Sequence, residues 1–188
     1  MVDKIYKINS HNKEYINKTI FDNGNNPLYG ETTQKGVDDI VNHFKSHFNK
    51  DTVFYDLGCG TGKMVAHIGI QYNPKKSCGV ELSKERLKGA YEIKEKYCKD
   101  DTTISYIEGD FYKMDLSDAT VVYFDNTAMW QKKYVINLYN KLPKGCLFLY
   151  RAGALSISEQ KEYNEKVINS DKFITTYGKT RLHYIIIE

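Results

Sequence analysis

The sequence predicts an α/β fold: a seven-stranded, mostly parallel sheet with an antiparallel hairpin at its C-terminal end and helices on both faces. Three observations carry this. Short β-rich runs and amphipathic stretches alternate five times between residues 37 and 150, and parallel strands need a crossover helix at each step. A glycine-rich string, Asp56-Leu57-Gly58-Cys59-Gly60-Thr61-Gly62, falls between the first strand run and its helix. The chain closes on two β-rich runs, 173–177 and 182–187, with Gly178-Lys179-Thr180 between them. That gap is too short for a crossover, so the two are expected to pair antiparallel.

Taken in order, residues 1–30 are polar and Asn-rich, and read as an N-terminal arm or lid with one short helix, ahead of a single domain over 31–188. Val37, Ile40, Val41, Phe44 and Phe48 then fall on one helical stripe. His43 and His47 flank it as ordinary helix residues. The first strand, 52–55, leads through the glycine string into a helix carrying Met64, Val65 and Ile68, which Asn73-Pro74 stops. The second strand, 77–80, ends on Glu81, and Ser83 caps a helix expected to turn Leu87, Ala90, Tyr91 and Tyr97 inward. Strands three, four and five are placed at 102–107, 120–124 and 146–150. The helix before the fifth is marked by Tyr134, Val135, Leu138, Tyr139 and Leu142. A polar helix around 157–169 precedes the closing pair.

Composition narrows the class. With 188 residues, 41% hydrophobic and 27% charged, the chain has the balance of one ordinary globular domain. A net charge of +3 excludes a polybasic DNA-wrapping protein and leaves only a local basic patch open. Cys59, Cys78, Cys98 and Cys146 show no metal-ligand spacing, so reduced thiols and no metal are expected. No apolar stretch nears the roughly 20 residues of a membrane helix, and no signal-peptide pattern is visible. An intracellular protein, nuclear or cytoplasmic, with no membrane contact is the expectation.

The glycine string carries the chemistry. Between a strand and a helix, missing Cβ atoms let the backbone turn sharply and approach a ligand, while the helix N-terminus favours an anionic group. Glu81 follows Gly58 by about the twenty residues expected of an acid that bonds a ribose. Asp110 follows the third strand, where an adenine amino group needs an acceptor, and Phe111 beside it can pack on a purine face. Three acids at three successive strand ends converge on one crevice. Adenine and ribose would also suit NAD, but the spacing is Gly-x-Gly-x-Gly rather than Gly-x-Gly-x-x-Gly, and NAD does not call for the acid after strand three. The pattern points to S-adenosyl-L-methionine as cofactor and to a Rossmann-like class I methyltransferase.

Tyr29-Gly30-Glu31-Thr32, then Val37 opening a helix, the glycine string, Gly79-Val80-Glu81, Gly109-Asp110-Phe111 and Asp125-Asn126 follow one another in a particular order and spacing. In this the chain resembles the disruptor-of-telomeric-silencing (DOT-one) family of non-SET histone-lysine methyltransferases, over roughly residues 25–150. The Tyr-Gly-Glu-Thr segment is its most specific mark. The resemblance implies that Tyr29 and Thr32 cover the cofactor's methionine end, and that Asp56 and Gly58 line its amino-acid part, with Gly60 and Gly62 among the cofactor-binding residues. It implies Glu81 at the ribose and Asp110 with Phe111 at the adenine. Asn126, with Tyr29 and Asp125, would form the catalytic set beside a narrow lysine channel. The implied partner is a histone or nucleosome, with nucleic acid touched only through the nucleosome.

The chain departs from the family in having Asp125-Asn126 where two asparagines are usual, Lys63 in place of a glutamine, and Met129-Trp130 in place of a substrate-wall phenylalanine. It also lacks the basic extension of larger members. Lys63 could instead meet the methionine carboxylate. Asp125 either faces the channel, as a base or an attractor of a cation, or caps the next helix. Among the aromatic residues near strand ends, Tyr123, Trp130 and Tyr150, Trp130 is the expected channel wall, and Arg151 is placed on the substrate side. An RNA or small-molecule methyltransferase stays open, although the Asn-Pro-Pro-Tyr signature of base-amino methylation is missing. So does a non-catalytic module that only binds the cofactor.

Overall fold

Strand residues that are apolar at every position, rather than at alternate ones, belong in a sheet covered on both sides. Strand β1 (Val53–Leu57) is buried along its whole length, as is β5 (Leu147–Arg151). In the computed structural model, which describes residues 1–9, 30–125, 131–151, 155–168 and 173–188, these strands lie inside a seven-stranded sheet. With β2 (Lys76–Glu81), β3 (Ile104–Glu108) and β4 (Val121–Asp125) they form a parallel block in the order β3-β2-β1-β4-β5. The chain steps outward from β1 to β3, then returns to β4 on the other side of β1, so the order reverses between β1 and β4. Ligand crevices of open α/β sheets form at such a reversal, outside the carboxyl ends of the strands.

The two faces divide the core by alternation. Phe54, Val121, Tyr123, Leu147 and Leu149 point to one side. There they meet Ile5 of helix α1 (Val2–Tyr6), Val37 and Ile40 of α2 (Gln34–His43), Val65 and Ile68 of α3 (Lys63–Tyr72), and Leu87 and Ile93 of α4 (Lys84–Tyr97). Tyr55, Leu57, Val122, Phe124 and Phe148 point to the other, against Val135 and Leu138 of α5 (Lys132–Tyr139). Burying a side chain such as Ile5, fully enclosed here, stabilises by roughly 1.5–3 kcal/mol. The short helix expected in the first thirty residues is thus a contributor to the core.

Local signals set the helix ends. Thr33 caps α2 by accepting from the Gly36 amide, and Ser83 caps α4 by accepting from Arg86. Helix α2 stops at His43, short of the full stripe. Phe44 caps it, a 3₁₀ turn follows at Lys45–His47, and Phe48 packs half-buried beyond. Within α4, Leu87, Ala90 and Ile93 are buried, Tyr97 is half-buried, and Tyr91 is on the outside, contrary to expectation.

The C-terminal end closes antiparallel, with a different partner from the one expected. Helix α6 (Ile157–Glu162) ends well before residue 169. Asn164 takes a positive φ of 51°, and β6 (Lys166–Ile168) follows. The last strand, β9 (Leu182–Ile186), inserts between β5 and β6, antiparallel to both. Residues 173–177 do not pair with it. Strand β7 (Ile174–Thr175) and β8 (Gly178–Lys179) form a separate two-stranded ribbon. A buried carboxylate ties the start of β6 to the β5–β9 edge: Glu165 accepts from Tyr150 and lies 3.0 Å from His183. No helix among the described residues is long and apolar enough to cross a membrane.

Candidate active site

The loop after β1 is a backbone surface. Gly58, Gly60 and Gly62 have φ values of 88°, 55° and 73°, a left-handed region that side chains with a Cβ occupy at a cost of roughly 1–2 kcal/mol. Two of them differ in what surrounds them. A Cβ at Gly62 would lie 2.3 Å from the Tyr106 ring, whose hydroxyl donates to the Gly62 carbonyl at 2.9 Å. A Cβ at Gly58 would meet nothing within 4 Å, because that position faces an open cleft. Gly62 therefore serves packing, and Gly58 serves whatever enters the cleft. Cys59 between them is buried, which pushes its thiol well above the ordinary range and leaves it unreactive.

The cleft is open to solvent, with an enclosed volume of about 50 Å³. Gly30, Glu31, Thr32, Asp56, Gly58, Lys63, Tyr123 and Asp125 line it together with Cys59 and Met64. Asp56 is 5% exposed, and no described residue donates a hydrogen bond to its carboxyl. Burial raises its pKa well above the usual carboxylate value, and Asp125, Glu81 and Glu31 push in the same direction. A buried acid among acids, with its oxygens toward a cleft, is a site for a cation. Glu81, at the end of β2, accepts from the amides of Gly60 and Ser83, both at 2.9 Å, which holds its carboxylate against the glycine loop.

At the far side of the cleft, side chains replace backbone. Asp125 ends β4 and pairs in register with Arg151, the last residue of β5. The Arg151 guanidinium donates to the Thr32 hydroxyl at 3.2 Å and lies 3.7 Å from Asp125 Oδ2. Thr32 and Tyr123 share a hydrogen bond of 2.8 Å, and the Tyr123 hydroxyl donates to Asp125 Oδ2 at 3.3 Å. A phenol has one proton, so donation to Asp125 requires Thr32 to donate to Tyr123. The donors then run in one direction, from Arg151 through Thr32 and Tyr123 to Asp125. Burial keeps the Tyr123 phenol protonated, far above its ordinary value.

These positions refine the sequence expectations. Asp56, Gly58, Thr32 and Asp125 are brought to one cleft, with Gly60 and Gly62 behind it and Glu81 bonded to its loop. Asp110 caps the turn at Phe111–Lys113 by accepting from the Tyr112 amide, and Phe111 packs edge-on against Phe124. Lys63 lines the cleft, and its ammonium donates to the Ile8 carbonyl at 2.7 Å and to Glu31 at 3.0 Å, contacts the sequence did not suggest. Arg151 is 2% exposed and stands behind the wall, not on the substrate side of it. Tyr150 belongs to the opposite core, while Tyr123 does reach the cleft. Tyr29, Asn126 and Trp130 lie outside the described residues. His43 packs edge-on between Phe44 and Phe173.

Comparison with known proteins follows the same outline. The model of the family described as histone methylation protein DOT1 matches residues 6–146, three quarters of the chain. This chain belongs to the DOT1 family. A protein-lysine N-methyltransferase of Saccharolobus islandicus is 38% identical over 74 residues, covering 39% of this chain and 45% of that protein. An H3 lysine-79-specific histone-lysine N-methyltransferase of Caenorhabditis elegans is 27% identical over 133 residues, 64% of this chain and 13% of that protein. The chain thus spans less than half the length of either relative. Among solved structures, an RNA methyltransferase of Salinibacter ruber bound to S-adenosyl-L-homocysteine superposes with a TM-score of 0.61 at 20% identity, covering 84% of this chain and 94% of that one. The fold is therefore that of class I S-adenosylmethionine-dependent methyltransferases. The DOT1 match ends before the fifth strand, so β5 to β9 lie beyond it.

Proposed function

We propose that this DOT1-family chain is an S-adenosyl-L-methionine-dependent N-methyltransferase acting on lysine side chains of a histone or another basic protein. The observation that carries the reading is the buried Asp56 carboxyl, which takes no hydrogen bond from a described residue, on the same acid-lined cleft as Asp125. Such a cleft suits two cations, the amino group of the cofactor and the ammonium of a lysine, and it suits a polyanion poorly. That favours a protein over an RNA acceptor.

When bound, the cofactor supplies a methyl group on a positively charged sulfur. In this reading Asp56 holds its amino group, Gly58 gives its methionine part room, Glu81 takes the ribose hydroxyls, and Asp110 with Phe111 frames the adenine. Thr32 stands behind the methionine end, in the wall that carries Asp125. The remaining task is alignment of a neutral amine. With a reference pKa of ~10.4, deprotonating a lysine at neutral pH costs about 4–5 kcal/mol, and exclusion of water lowers that cost. Asp125 draws the incoming ammonium and is held by Tyr123 and Arg151. Asn126, next in the chain, positions the amine, and Trp130 walls the channel.

Tritium-labelled S-adenosylmethionine incubated with nucleosomes, free core histones and total RNA tests this. The expected result is label on a histone lysine, lost in Asn126→Ala. Label on RNA alone would replace the substrate and leave methyl transfer standing. Cofactor uptake with no labelled acceptor, a whole-cell protein extract included, would reduce the chain to a binding module.

A further inference from the structure

The β7–β8 ribbon lies outside the family match, so no role comes to it from the DOT1 family. It is nonetheless fastened to the cleft wall. Thr33 donates to the Ile174 carbonyl through both its amide, at 3.0 Å, and its hydroxyl, at 2.9 Å. Glu31 and Thr176 exchange two further bonds, and Thr32 bridges to Thr175. The ribbon therefore carries Glu31–Thr33 as a paired strand would. At its turn, Tyr177 lays its ring against Gly30 so closely that a Cβ there would come within 2.1 Å of it. The Tyr177 hydroxyl donates to Asp125 Oδ2 at 2.8 Å, closer than Tyr123 at 3.3 Å or Arg151 at 3.7 Å.

We infer that Tyr177 is a positioning residue for the acceptor, holding the Asp125 carboxylate at the cleft mouth and offering its ring to an alkylammonium side chain that passes to it. The inference rests on the proposed methyl transfer to an amine. Exposure separates Tyr177 from the rest of the cluster: it is 45% exposed, while Tyr123 and Arg151 are 3% and 2% exposed. Tyr123 and Arg151 orient Asp125 from behind, and Tyr177 does so from the rim, where an entering chain meets it first. An aromatic face beside a carboxylate is a recognised setting for an ammonium group. Gly30 is needed in this arrangement because any side chain would displace the ring from Asp125. A purely mechanical role, a staple joining the ribbon to the sheet, would use the same contacts, and the test must tell the two apart.

Butylammonium, a mimic of the lysine side chain, is titrated by NMR into the free protein and into protein loaded with S-adenosylhomocysteine. Calorimetry gives the affinity for S-adenosylhomocysteine itself. Tyr177→Phe keeps the ring and its contact with Gly30 and removes the hydroxyl, with its bonds to Asp125 and Arg151. Tyr177→Ala removes both. For Tyr177→Phe the expected result is about tenfold weaker butylammonium binding, the usual scale for a hydrogen bond to a charged group, with S-adenosylhomocysteine affinity within about twofold of wild type. Tyr177→Ala should weaken butylammonium further. With core histones as acceptor, the loss should fall on KM more than on kcat. Wild-type protein that takes up S-adenosylhomocysteine but not butylammonium overturns the inference. So does equal butylammonium binding in all three proteins, or a parallel loss of S-adenosylhomocysteine affinity in Tyr177→Phe, which marks a staple. Failure of wild type to bind S-adenosylhomocysteine would instead strike at the proposed function.

Discussion

On the proposed cofactor side of the cleft, the loop after β1 presents backbone, with three glycines in left-handed conformations and a carboxylate, Glu81, bonded to one of their amides. On the proposed acceptor side, the end of β4 presents side chains gathered from four segments: Thr32, Tyr123 with Asp125, Arg151 and Tyr177. A backbone surface depends on which residues lack a Cβ, and it fails when one is added. A side-chain surface depends on a chain of hydrogen bonds, and it loses function by degrees. The contrast predicts a steep response to substitution on the first side and a graded one on the second.

The largest effect is expected at Gly62. Gly62→Ala combines a left-handed backbone with a Cβ driven into the Tyr106 ring, and should destabilise the fold by about 2–5 kcal/mol. Gly58→Ala carries the backbone cost alone, about 1–2 kcal/mol, because its Cβ enters open cleft. It should nonetheless weaken cofactor binding. Chemical denaturation of both variants beside S-adenosylhomocysteine calorimetry checks the pair. Equal stabilities would mean that the loop does not divide into a packed part and a ligand-facing part.

Asp56 gives the next effect and a pH signature. Its folded-state pKa is raised by burial first and by neighbouring acids second. A raised acid binds its proton more tightly when folded, so its contribution to stability is full below the ordinary carboxyl value near ~4 and is lost as pH rises toward the folded value. Ligand-free wild type should therefore become less stable across that window, and Asp56→Asn should flatten the trend. A cation bound beside Asp56 favours its ionised form, so cofactor affinity should rise with pH over the same interval. Asn at this position should lower that affinity at least about tenfold. Thermal midpoints at several pH values, with and without S-adenosylhomocysteine, measure both.

Legibility in the sequence followed the same division. The string from Asp56 to Gly62 and the acid at Glu81 lie within thirty residues on consecutive elements, so their spacing alone placed them at adjoining strand ends, and the parallel order followed from alternation. The acceptor wall joins residues far apart in the chain: Arg151 bonds Thr32 across 119 positions and Tyr177 bonds Asp125 across 52. No local pattern encodes those pairs. The partners of Lys63 are hidden for the same reason, since Ile8 and Glu31 come from 55 and 32 residues away. Strand β6 escaped because three residues, Lys166-Val167-Ile168, are too few to display a period. Arg151 reads in sequence as a substrate-side group, and the register with Asp125 shows why it is buried.

A graded response should appear at Thr32. Thr32→Val keeps the shape and removes the hydroxyl that accepts from Arg151 and bonds Tyr123. Stability should fall by about 1–2 kcal/mol, the scale of leaving buried partners unsatisfied. Acceptor KM should rise while S-adenosylhomocysteine affinity changes little. Histone methylation kinetics beside denaturation report both. A collapse of cofactor affinity would show that Thr32 belongs to the cofactor side after all.

The smallest effect is expected at Tyr91, and it tests how far the backbone side depends on its surroundings. One helical step of 100° separates it from Ala90, which turns Tyr91 off the Leu87–Ala90–Ile93 stripe to 49% exposure. Its one described ring contact is edge-on to Tyr106, with centroids 6.1 Å apart, and Tyr106 is the ring that packs on Gly62. If Tyr106 is held by its own burial and its bond to the Gly62 carbonyl, then Tyr91→Ala should lower stability by less than about 1 kcal/mol, within the range of one aromatic pair. Cofactor affinity should stay as it was. A clear drop in S-adenosylhomocysteine binding for this variant would mean that the glycine loop takes its shape from an exposed residue thirty positions away, and that the backbone side is no more self-contained than the acceptor wall.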